Sequence, residues 1–156
     1  MRRLLLVVLL LVGIQHVVHS DPIEDWRGIV VHHSGACTDT VEGIRRYHVD
    51  IRGWDYTGYH YVIDREGIVH DARPITVRGA HAKGNKWHVE RNSTHIGVCL
   101  IGADVFTGAQ MEVLGVLIKK LASIYPIVSV ERHHENCPGG GVDIEMFNKW
   151  VDLSAR

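Results

Sequence analysis

The run Ile96-Gly97-Val98-Cys99-Leu100-Ile101 constrains the fold most, because an unbroken apolar stretch too short for a buried helix reads as a strand covered on both faces. Residues 28–33 have the same character and end in His32 and His33. Strands buried on both sides need helices on both sides. The expectation is therefore an α/β fold, a mixed central β-sheet flanked by helices.

The intervening segments supply those helices. Asp39 followed by Glu42 resembles a capping box, and Val41, Ile44, Tyr47, His48 and Ile51 recur at helical spacing up to Gly53. Thr107 and Gln110 open a second helix whose stripe is Met111, Leu114, Leu117, Ile118, Leu121, Ile124 and Tyr125, ending at Pro126. Residues 59–64 and 68–70, joined through Arg65-Glu66-Gly67, read as a hairpin. Residues 128–131 add a strand, and 143–153 a last helix with Ile144, Phe147 and Trp150 on one side. Residues 72–94 hold Pro74, Gly79, Gly84 and Asn85 with no sustained period, and are expected to be a substrate-lining loop. Within them Asn92-Ser93-Thr94 matches a glycan acceptor.

The chain begins with Arg2 and Arg3, an apolar run from Leu4 to Ile14, and Val18-His19-Ser20, the three parts of a secretory signal. Residues 1–20 are read as that signal, with an uncleaved membrane tether as the alternative, and the remainder is expected outside the cytoplasm, periplasmic or secreted. Residues 21–156 are long enough for one domain, and no linker-like composition or repeat divides them. Loss of Arg2 and Arg3 moves the formal charge from −1 to −3, which speaks against nucleic acid as a partner. With three cysteines, at least one stays unpaired within the molecule. Cys99, inside the apolar run, is expected to be a buried thiol.

Twelve histidines hint at metal or acid–base work. His32 closes one strand and His133 follows another. If those strands are neighbours, both imidazoles reach one sheet edge, where Cys137 can fold back onto the same ion. Two imidazoles and a thiolate hold Zn²⁺ with a fourth position open for hydrolytic chemistry. Spacing alone does not separate His32 from His33, or His133 from His134.

The stretches IVVHHSG, IRRYHVDIRGWDYTGYHYVIDREGIVHDARP, GAHAKGN, IGVCLIG, FTGAQM and RHHENCPG resemble, in order, the zinc-dependent N-acetylmuramoyl-L-alanine amidases of the T7 lysozyme and peptidoglycan-recognition type. The resemblance implies the amidase type 2 fold, His32, His133 and Cys137 as zinc ligands, and Tyr59 as a catalytic residue. It implies hydrolysis of the amide between N-acetylmuramic acid and L-alanine of peptidoglycan by metal-activated water, with Tyr59 helping to stabilise the developing oxyanion. His60, His81, Arg73 and Asn85 match positions near the family's groove and are expected to contact the peptide or sugar. Peptidoglycan or muropeptides are the expected partners of a monomer. The phage relative's inhibition of RNA polymerase is not carried over, since an exported chain would not meet that enzyme.

The pattern departs from the family in three places. Family members usually carry a longer segment between the second histidine and the cysteine, with a lysine in the phage enzyme; here the step from His133 to Cys137 is four and the lysine is absent. A helical turn would bring ligands so spaced onto one face. Residues 87–91 look like an insertion, and His95 stands where relatives usually carry serine. The alternative function is a peptidoglycan-binding protein with impaired catalysis.

Overall fold

The computed structural model describes residues 25–83 and 86–154. The leader of residues 1–20 and Asn85 lie outside the described residues. No helix among the described residues is long and apolar enough to cross a membrane.

Five strands, β1 (Gly28–His33), β2 (Tyr61–Ile63), β3 (Val69–Asp71), β4 (His95–Leu100) and β5 (Ser129–Arg132), form one sheet in the order β3-β2-β4-β1-β5. β1 lies between β4 and β5, parallel to both, while β3 alone runs antiparallel, against β2. The sheet is therefore mixed, and its two central strands are the two apolar runs.

Side-chain alternation on β1 and β4 sorts the two faces. Ile29, Val31, Ile96, Val98 and Leu100 join the main core with Leu114, Ile118 and Phe147, supplied by α3 (Gly108–Ile124) and α4 (Ile144–Ser154). Cys99 faces the other way, into a smaller cluster with Val62 and Ile101 that packs against Val41, Ile44 and Tyr59. The register pairs His32 with Cys99 on this second face.

The first helix starts one residue later than the sequence pattern suggests. Thr40 caps α1 (Val41–Arg46) by accepting a bond from the Gly43 N–H, whereas Asp39 accepts from the Ala36 N–H in the preceding loop. Tyr47–Ile51 continue as a π-helical turn, in which the Arg52 N–H donates to the Tyr47 carbonyl. Gly53, at φ 69°, ends it.

Residues 72–94 are not wholly loop, because α2 (Lys86–Thr94) occupies their last third. This helix lacks an apolar stripe and is held by a polar residue. Asn92 is buried, accepts from the His81 and Ala82 N–H groups, and donates to the Ala82 carbonyl. A glycan cannot be carried there in the folded chain, so the acceptor reading of Asn92 is corrected.

His60 is also corrected. Its ring has no exposed surface, accepts at Nδ1 from the Gly97 N–H (2.9 Å), donates at Nε2 to the Val77 carbonyl (3.0 Å), and meets Trp26 edge-on. With both nitrogens committed to backbone, it is a structural residue rather than a substrate contact. Burial pushes its pKa down to about 4.

Gln110 joins helix to sheet. Besides completing the capping box with Thr107, its amide donates to the carbonyls of Ile63 and Ile101, where β2 and β4 end. Gln110→Leu takes the amide donor from the buried Ile101 carbonyl, while the Ile63 carbonyl keeps the Ile101 N–H at 2.9 Å, and should cost about 1–3 kcal/mol in urea unfolding.

A second prediction concerns pH. His60 is neutral in the fold but protonates near pH 6.5 once unfolded, so unfolding takes up a proton below that value. Its contribution to stability is complete above pH 6.5 and is lost as pH falls towards about 4. Urea unfolding between pH 6.5 and 4.5 should be steeper in pH for wild type than for His60→Gln, by up to about 1.4 kcal/mol per pH unit.

Candidate metal centre

The parallel pairing of β1 with β5 sets His32 beside His133. Val31 aligns with Arg132, and the His133 N–H donates to the Val31 carbonyl just past the end of β5. The two imidazole centroids are 4.5 Å apart. Cys137 returns to them through a tight turn, not a helical one. His134 and Cys137 exchange both backbone hydrogen bonds, at 3.0 and 3.2 Å, so only Glu135 and Asn136 lie at its tip.

Ligand atoms of His32, His133 and Cys137 all lie within 4.8 Å of one another. The adjacent histidines brace the turn instead. His33 bonds through Nε2 to the Asn136 carbonyl, and His134 Nδ1 accepts from the Asn136 N–H. Of each neighbouring pair, His32 and His133 are the histidines that converge with Cys137.

Electrostatics suit a cation here. Burial, and then the nearby His81 and His133, hold the His32 pKa well below its ordinary value, keeping a lone pair available. Burial raises the Cys137 thiol, while the His33 N–H directed at Sγ (3.4 Å) works in the opposite direction. Two nitrogens and one soft sulfur, with no carboxylate, fit a tetrahedral borderline metal with one position left open.

Tyr59 lies on the same face, its ring 5.1 Å from that of His32. Burial, then Cys99 and Cys137, push its pKa up, so the phenol keeps its proton and can donate it in a hydrogen bond. In front of it a cleft of about 240 Å³ is lined by Ser34, Asp39, Ile44, Tyr47 and His48. His48, read from sequence only as part of a helix stripe, is a wall of this cleft. It stacks on Trp54 at 4.9 Å and meets Tyr59 edge-on. Beyond it a second hollow, about 290 Å³, reaches Arg52, Trp54 and Lys83. The signal for His48 lay in YHVDIRGW, where a histidine precedes Gly53-Trp54 by less than two helical turns.

The other expected contacts are placed differently. His81 is buried, with Nδ1 3.0 Å from His32 Nε2, so it backs a candidate ligand instead of lining the cleft. Burial drives its pKa down to about 3. Arg73 donates from Nε to the Arg78 carbonyl and from Nη1 to the Thr57 carbonyl, and borders a separate hollow with Tyr56 and Tyr61. A larger hollow, about 800 Å³ beside Arg91, Glu131 and Arg132, is lined by none of the expected ligands.

The chain is similar to known proteins of one kind. The family described as N-acetylmuramoyl-L-alanine amidase matches residues 22–140. The endolysin of Escherichia phage T7 is 35% identical over 118 residues, covering 70% of this chain and 74% of its own. Peptidoglycan-recognition protein SC2 of Drosophila melanogaster is 30% identical over 141 residues, covering 78% and 73%. Among solved structures, the N-acetylmuramoyl-L-alanine amidase LysC from Clostridium intestinale URNW superimposes with a TM-score of 0.71 at 28% identity, covering 82% of this chain and 86% of that one. With three-quarters of its length matched, the chain belongs to the N-acetylmuramoyl-L-alanine amidase family.

Proposed function

We propose that this chain hydrolyses the amide between N-acetylmuramic acid and L-alanine in peptidoglycan, with Zn²⁺ held by His32, His133 and Cys137. The observation that carries the reading is the convergence of those three donors beside the Tyr59 phenol. When bound there, zinc supplies Lewis acidity for water and for the amide carbonyl.

The chain's own residues do the rest. The His32 and His133 imidazoles offer nitrogen donors, and Cys137 is steadied by the His33 N–H. Tyr59, its proton retained by burial, donates a hydrogen bond to the carbonyl oxygen as negative charge develops on it. His48 and Trp54 give the cleft a flat wall against which a sugar or peptide can lie. Cys99 is fully buried and its pKa is raised, which argues against Cys99 as a nucleophile.

Export is part of the proposal. The basic and apolar leader of residues 1–20 supports delivery to the wall compartment, either cleaved or retained as a tether. A second reading, peptidoglycan binding with impaired turnover, is favoured by one observation: the tip of the turn, Glu135-Asn136, carries no lysine to assist the transition state.

Turnover separates the two. Purified chain incubated with peptidoglycan should release soluble stem peptides bearing new L-alanine amino termini, and a chelator should stop the release until zinc is restored. Folded, zinc-loaded protein that binds peptidoglycan without releasing peptides would establish the second reading. His32→Ala should lose both bound zinc and release. Tyr59→Phe should keep zinc affinity while its turnover falls about 100-fold or more, measured by separating kcat from zinc Kd.

A further inference from the structure

His81 is a buried residue for which cleft contact offers no role, and its surroundings are built around it. Added Cβ atoms at Gly97 and Gly79 would lie 2.5 and 2.6 Å from its ring, so both glycines open the slot it fills. Gly97 is the one residue of β4 without a side chain. From the opposite side, Asn92 on α2 fixes the main chain at His81 and Ala82 with three hydrogen bonds.

The hydrogen-bond directions follow from one fixed acceptor. The His95 carbonyl can only accept, so His81 carries its proton on Nε2, 3.1 Å away. A neutral imidazole then has a lone pair on Nδ1. That atom lies 3.0 Å from His32 Nε2, which must be the donor. The remaining nitrogen of His32, Nδ1, is left unprotonated.

We propose that His81 is a positioning residue for the metal centre: the relay from the His95 carbonyl through His81 to His32 holds His32 in the tautomer and orientation that present Nδ1 to a metal ion. Such outer partners fix the tautomer of metal-binding imidazoles elsewhere, and their loss weakens metal affinity about 10–100-fold. The inference rests on the metal-centre reading above, but its tests need neither peptidoglycan nor turnover.

The first test is ¹⁵N NMR of the imidazoles in the purified full chain without metal. His32 and His81 should both be neutral and protonated at Nε2. Protonation of His32 at Nδ1 would overturn the relay. The second is zinc affinity by competition with a chromophoric chelator. His81→Leu, with circular dichroism matching wild type, should bind zinc about 10–100-fold more weakly. His81→Gln, which retains an amide donor and acceptor, should recover part of that loss. Wild-type affinity in folded His81→Leu would overturn the proposal. If His81→Leu fails to fold, the wild-type tautomer decides. Absence of zinc binding by wild type itself would instead remove the metal-centre reading, so the two failures are distinguishable.

Discussion

The parallel pairing of β1 with both β4 and β5 is the constraint on which the rest of the molecule depends. Because the side-chain period of a strand is two, this register puts Val31 in the main core and His32 on the opposite face, over Cys99 and beside His133. A slip of one residue would send His32 into the hydrocarbon between the sheet and α3. The apolar burial that stabilises the central strands therefore also enforces the placement of the candidate ligands, and no separate device is needed to bring residues a hundred positions apart together.

Burial acts on the chemistry in a uniform way. His32 and His81 are held neutral and the Tyr59 phenol is held protonated, each chiefly because its charged form would be poorly solvated. Lone pairs and hydrogen-bond donors are thereby maintained in place of fixed charges. A cation arriving among such groups meets neutral imidazoles and a thiol whose proton it displaces.

Much of this was legible in the sequence, where one physical signal dominated locally. The apolar runs marked β1 and β4, the Thr107–Gln110 pair marked the start of α3, and ordered family motifs pointed to His32, Tyr59, His133 and Cys137. The failures share a cause. α2 escaped because Asn92 binds it through hydrogen bonds, which leave no apolar period to detect. His60 and His81 were assigned to the cleft because a motif shows proximity to a site but not what a ring bonds to: His60 is committed to the Gly97 and Val77 backbone, and His81 to His32 and the His95 carbonyl. The turn at His134–Cys137 escaped because a four-residue step is compatible with helix or hairpin, and only the backbone bonds distinguish them.

That turn carries a consequence for how a metal ion would be retained. His133 and Cys137 would make a chelate from a single short segment, already closed by two backbone bonds. Closing a loop costs about 0.6 kcal/mol more for each doubling of its length, so a segment this short gives up little chain entropy when both donors engage one ion. The same economy leaves only Glu135 and Asn136 exposed at the tip. A turn this short would thus favour a stiff grip on a metal ion over reach across the cleft.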